Sequence, residues 1–151
     1  MALENIVEKF KKDDSAVLAK ILKELDSDFK AVEATRKILP KIDINNLDKV
    51  KQIQLQTVSV YGRLREWYLR IESLKKNKEA AYYQYLRNLA EEKNDKFVSA
   101  VAEKESSLYV SEERRVRDLI AGKLDFALET IKTCRNLLNE KQYPSQTSLT
   151  A

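Results

Sequence analysis

From Leu47 to Leu89 the chain runs 43 residues without a proline and with a single glycine, Gly62. Its apolar residues recur at helical spacing: Leu47, Val50 and Ile53, then Tyr61, Leu64, Trp67, Tyr68, Ile71 and Leu74, then Tyr82, Tyr85 and Leu86. As one helix at 1.5 Å per residue, this stretch is a rod of roughly 65 Å, longer than a compact domain of this size is wide. Part of it is therefore expected to pack against a partner chain. Gly62 is the one place where a kink is expected. A strict two-stranded coiled coil is disfavoured, because the heptad position that starts at Leu47 next meets Gln54, Tyr61, Tyr68 and Lys75.

The same scarcity of turn formers extends over all 151 residues, which hold two Gly and two Pro. Average usage would supply about eleven and about eight. Hairpins and sheets need such residues at their turns, so a many-stranded β fold is excluded. Gly62 and Gly122 lie too far apart to form a phosphate-cradling loop. Histidine is absent, which removes Ser-His, Cys-His and His-ligated metal chemistry. The expected fold is all-α: helical hairpins built on one very long central helix, associating as an oligomeric bundle. Residues 1–143 are expected to form a single helical domain and residues 144–151 a disordered polar tail after Pro144.

Around the long helix the pattern predicts shorter ones. Leu3, Ile6, Val7 and Phe10 mark a short amphipathic segment. A second helix is expected from Ser15, with Leu18, Ile21, Leu22, Leu25, Phe29 and Val32 as its stripe and Pro40 as its end. Lys41–Asn46 reads as a connector, with Asn45 or Asn46 capping the long helix. Glu91–Asp95 is expected to turn the chain into a short helix bearing Phe97, Val98 and Val101. Leu108, Tyr109 and Val110 suggest an extended piece before Ser111 caps the last helix. That helix carries Val116, Leu119, Ile120, Leu124, Ala127, Ile131, Cys134 and Leu138 on one stripe. Cys134 reads as a core residue, and with no second cysteine it suits a reducing cytoplasm. No apolar run reaches the ~18 residues of a membrane span.

Charge is concentrated. Between Arg63 and Arg87 stand seven bases (Arg63, Arg65, Arg70, Lys75, Lys76, Lys78, Arg87) and three acids (Glu66, Glu72, Glu79). Seven less three is +4, equal to the net charge of the whole chain. Six of the twelve aromatics lie between Tyr61 and Arg87: Tyr61, Trp67, Tyr68, Tyr82, Tyr83 and Tyr85. Cations that follow phosphates and rings that stack on bases are what a single-stranded nucleic acid requires. The candidate contacts are Arg63, Arg70, Lys75, Lys76, Lys78, Tyr82, Tyr83, Tyr85 and Arg87. Trp67, Tyr68, Ile71 and Leu74 share a face and read as core. Tyr82, Tyr83 and Tyr85 diverge around the helix, so at least one is expected at the surface or an interface. The carboxylate pairs Asp13/Asp14, Asp26/Asp28, Glu91/Glu92 and Glu112/Glu113 read as caps and solvated groups rather than metal ligands or acid–base pairs. No catalytic residue, metal or cofactor is expected.

The stretch LRIESLKKNKEAAYYQY, from Leu69 to Tyr85, resembles phage recombination mediators of the UvsY type, which carry a similar Arg-Ile-Glu, a lysine pair and an aromatic-ended basic motif. The later order is also similar: a turn, Ser111 with Glu112 and Glu113, then a long C-terminal helix. Where the family motif reads Lys-Ala-Arg-x-Asp-Tyr, this chain has Ala80, Ala81, Tyr82, Tyr83, Gln84 and Tyr85, so its charge would come from Lys75, Lys76, Lys78 and Arg87. The resemblance implies an α-helical ring-forming protein without enzymatic activity that binds single-stranded DNA. It further implies that the protein helps a recombinase displace single-strand-binding protein in the host-cell cytoplasm. A helical scaffold or interaction subunit of a larger assembly is the alternative.

Overall fold

The computed structural model describes residues 2–142, with side chains described from 15 to 141. These residues form four helices, α1 (Ala2–Ile38), α2 (Leu47–Glu92), α3 (Ser99–Tyr109) and α4 (Ser111–Gln142), with a 3-10 turn over Leu39–Lys41. There is no strand among the described residues, so the fold is all-α. The expected long helix is present as the 46-residue α2, and Gly62 lies within it at an exposed position. The expected boundary at Ser15 is not there: α1 runs through it without a break. No Gly or Pro interrupts residues 2–38, and a serine that would cap an end is tolerated inside a helix at small cost. The side chains of Leu3, Ile6, Val7 and Phe10, and the tail from residue 143, lie outside the described residues.

The described residues group into two compact units, the first from residues 2–24 and 67–120, the second from residues 25–66 and 121–142. In the second unit Val50 and Ile53 of α2 bury themselves with Cys134 and Leu138 of α4, and Leu39, Ile42, Leu47 and Leu137 pack against this cluster. Burial pushes the Cys134 thiol above its usual range, as expected for a small core residue rather than a nucleophile. The connector between α1 and α2 is held by its own polar groups. The Asn45 backbone N–H donates to Asp43 Oδ1 at 2.9 Å. The Lys49 N–H donates to Asn46 Oδ1 at 3.1 Å, which makes Asn46 the cap of α2. Lys141 Nζ donates to Asn45 Oδ1 at 2.9 Å and ties the end of α4 to this connector.

In the first unit the chain turns after α2 at Asn94, whose φ of 52° is left-handed. The Asp95 N–H donates to Ala90 O at 2.9 Å and the Asn94 N–H to Glu91 O at 3.2 Å. This pair of bonds is the Schellman closure, with asparagine where glycine is commonest. Leu108–Val110 is not extended: it is the end of a helix and a turn. Leu108 and Tyr109 finish α3, and Val110, fully buried, bends into α4 with φ −100° and ψ 22°. The strand preference of the triplet yields to the packing of Tyr109 and Val110. Val116, Ile120, Leu124, Ala127, Ile131, Cys134 and Leu138 of α4 are buried as the periodicity predicts. Leu119 and Leu74, expected on core stripes, are instead exposed. Each lies beside a better-centred neighbour, Ile120 or Ile71, which fills the interior position.

Candidate nucleic-acid interface

The nine candidate residues all lie on α2, but they do not form one surface. Arg63 belongs to the second unit and is committed to Asp28 of α1: Nη2 is 2.7 Å and Nε 3.0 Å from Oδ1, and Nη1 donates to Ser59 Oγ at 2.9 Å. Asp28 is buried, so this carboxylate is neither a cap nor a solvated group as its neighbours had suggested. The hydrogen bond from Arg63 to Asp28 raises the Arg63 pKa further, and the guanidinium stays charged.

The other eight candidates belong to the first unit. Glu72 gathers three cations. Its Oε1 is 3.4 Å from Lys75 Nζ and 3.7 Å from Lys76 Nζ, and its Oε2 accepts from Arg117 Nη1 of α4 at 3.1 Å. Arg117, with Lys75 adding to it, holds the Glu72 carboxyl below the usual range. Lys75 is buried and cannot present its ammonium outward, whereas Lys76 is exposed. Lys78 is drawn inward: it ion-pairs with Glu113, which is only 2% exposed, and sits 5.6 Å from the Tyr109 ring centroid. Glu113 therefore does more than complement the α4 dipole.

The three tyrosines are packed as well. Tyr82 stacks on Tyr109 of α3, with centroids 4.2 Å apart and planes 8° from parallel, and lies 5.8 Å from Tyr85. Burial pushes the Tyr82 phenol pKa up. Tyr83 meets Phe97 edge-on at 5.6 Å. All three are half-buried, so their divergence around α2 is resolved by rings from two neighbouring segments and leaves none fully exposed. Tyr82 joins α2 to α3, Tyr83 joins it to Phe97 before α3, and Tyr85 lies against Tyr82, so their ring faces are not a ready platform for bases.

What remains at the surface of the middle of this stretch is cationic, with exposed acids at its two ends, Glu66 and Glu91. Between residues 67 and 90 the exposed charged residues are Arg70, Lys76 and Arg87, while the acids Glu72 and Glu79 are withdrawn to half-buried positions. Arg70 lies 5.2 Å from the Trp67 ring, and Arg87 Nε reaches Glu91 Oε1 at 3.4 Å. Lys76, Ala80, Gln84 and Arg87 succeed one another up a single face at helical spacing. Eleven residues separate the two cations, about 16 Å along the axis. The small or uncharged exposed side chains among them, Ser73, Asn77, Ala80, Ala81 and Gln84, leave the face open. Such a strip can hold an extended polyanion by charge and gives no means of reading its sequence.

Sequence reasoning did not identify Asp28, Glu113, Arg117, Tyr109 or Phe97 as partners of the candidates. These contacts join residues 35 or 45 positions apart in the case of the ion pairs, and no spacing rule reaches that far. Among the described residues no acidic or cysteine cluster could hold a metal ion, and no helix is long and apolar enough to cross a membrane. Comparison with known proteins returns no matching family model, no matching curated protein and no matching solved structure.

Proposed function

We propose that this chain is a non-enzymatic accessory protein that binds single-stranded DNA along α2 and helps to load a recombinase on it. The observation that carries the DNA-binding reading is the sign of the exposed charge on residues 67–90: three cations and no exposed acid. The recombinase, the displaced single-strand-binding protein, the ring-like homo-oligomer and the phage-infected cytoplasm come from the resemblance of Leu69–Tyr85 to the UvsY-type mediators. DNA is favoured over RNA on the same ground. The contacts assigned are Lys76 and Arg87, while Arg70 lies on another face of α2, against Trp67. Lys78, Tyr82 and Tyr83 tie α2 to neighbouring segments, Lys75 is buried beside Glu72, Tyr85 lies against Tyr82, and Arg63 serves the second unit.

The test is fluorescence anisotropy of a labelled single-stranded oligonucleotide at several salt concentrations. Binding should weaken as salt rises, and Lys76→Ala with Arg87→Ala should reduce the slope of log K against log salt by about 1.4, two contacts at ~0.7 each. Arg63→Ala should leave the slope unchanged. Absence of binding at low salt, or a slope indifferent to the double substitution, would refute the assignment.

A scaffold or interaction role is the second reading, favoured by α3 and the residue before it. Val98, Val101 and Leu108 lie at successive helical spacings and are 46%, 53% and 63% exposed. A protein that ignores the oligonucleotide but has a solution mass several times that of one chain would support this reading instead.

A further inference from the structure

We infer that two copies of this chain pair through α2, antiparallel and related by a two-fold axis, with Leu55 of each copy seated over Gly62 of the other. Gly62 is the anomaly that points there. A glycine inside a helix weakens it relative to alanine, through the backbone freedom lost on folding. Nothing among the described residues uses the missing side chain. Gly62 has no positive φ, and a Cβ built on it would meet nothing within 4 Å beyond its own stretch of helix. The notch faces outward, where another molecule can come close to the backbone. Gly122 of α4 is as open, but the positions two turns before and after it are Arg115 and Glu129, with no apolar side chain to accompany the notch.

The matching knob stands on the same face. Leu55, about two turns before Gly62, is 70% exposed, more than any other large apolar side chain described. Val58 lies between them and is 47% exposed. Lys51, Ser59 and Glu66 are exposed on this face too. A face with a knob at one end and a notch at the other complements itself when reversed, as a two-fold contact requires. With the axis between Val58 and Ser59, Leu55 meets the partner's Gly62, Val58 meets the partner's Val58, and Lys51 comes opposite the partner's Glu66. The Leu55 and Lys51 contacts each occur twice, over a stretch of about 22 Å. A parallel pair would set Leu55 on Leu55 and Lys51 on Lys51 and leave both notches empty. A second copy therefore supplies the knob, the notch and the acid for Lys51 together. The partner's α2 begins at Leu47, opposite residue 70, so Lys76 and Arg87 lie beyond the paired stretch. The inference goes beyond the DNA-binding reading and does not rest on it. Such a contact closes on itself and makes pairs, whereas a ring requires a further, head-to-tail contact.

Sedimentation equilibrium of the full chain is the test. The parent should show the mass of two chains, or an even multiple of one, and Leu55→Asp should halve it while the helical circular dichroism is kept. Gly62→Leu fills both notches and should weaken pairing by at least about tenfold, although leucine is the better helix former. Lys51→Glu should weaken pairing about threefold, and adding Glu66→Lys should restore it, because the reversed charges meet again only in the antiparallel register. A chain that stays single up to about 1 mM would overturn the proposal. So would a mass that neither Leu55→Asp nor Gly62→Leu lowers, or a loss in Lys51→Glu that Glu66→Lys does not restore.

Discussion

Arg63 Nη2 lies 2.7 Å from Asp28 Oδ1, joining the middle of α2 to α1 inside the second unit. By sequence, Arg63 opens a basic window and Asp28 is one of a pair of helix-end acids. Together they form a forked ion pair in which the carboxylate is buried and the guanidinium about half exposed. Removing the arginine leaves the carboxylate without its donors, and water can reach the vacated side. Arg63→Ala should therefore cost about 1–2 kcal/mol by urea denaturation and leave oligonucleotide affinity unchanged. A double-mutant cycle with Asp28→Ala should show the two losses to be non-additive.

Lys78 and Glu113 are more deeply enclosed, and their asymmetry is sharper. Lys78→Ala abandons a nearly inaccessible carboxylate and should destabilise the protein by about 3 kcal/mol, seen as a lower urea midpoint at constant m-value. Replacing both groups by apolar ones, Lys78→Met with Glu113→Leu, should restore most of that loss. If the single and double variants were equally destabilised, burial of an unpaired charge would not be the cause.

Glu72 links stability to pH. Hydrogen bonding from Arg117, supported by Lys75, lowers its pKa in the folded chain below the unfolded value of about 4.3. A depressed carboxylate binds fewer protons when folded, so its contribution is present above that value and is lost as pH falls through the folded pKa. Glu72→Gln should lower the thermal midpoint at pH 7, and the gap from the parent should narrow below about pH 4. Glu33, lowered by its hydrogen bond from Lys123, acts in the same direction. A gap constant from pH 7 to pH 3 would remove Glu72 from this role.

Asn94 is the one described residue other than glycine with a positive φ. Asn94→Ala places a side chain without compensating polarity in the left-handed region and should cost about 1 kcal/mol. Asn94→Gly should be neutral or slightly stabilising. Thermal melts measure both, and an alanine variant as stable as the parent would mean that the turn relaxes out of the Schellman geometry.

Much of the fold was legible in local chemistry. The long spacing free of Pro and almost free of Gly gives α2 its length, and the stripe from Val116 to Leu138 orients α4 inward. The Asn46 cap and the turn near Asn94 reflect side chains that hydrogen-bond or adopt φ > 0 more readily than others. The misreadings have different origins. Ser15 carries a local signal for a boundary, which is outweighed where no Gly or Pro breaks residues 2–38, and the Leu108–Val110 triplet carries one for extension, which packing overrode.

The candidate interface was legible only as a composition. Its helix and its excess of cations are properties of the sequence, because periodicity and charge are written residue by residue. Which cations face outward depends on acids and rings brought in from elsewhere in the chain. Asp28 takes Arg63, Glu113 takes Lys78, Tyr109 takes Tyr82, and Lys76 and Arg87 remain exposed, the first beside half-buried Glu72 and the second beside exposed Glu91. Helical periodicity is local, so the sequence alone determined an all-α chain with a long cationic helix. The pairing of charges and rings across dozens of residues is set by packing, and only the tertiary structure decided which side chains are available to a ligand.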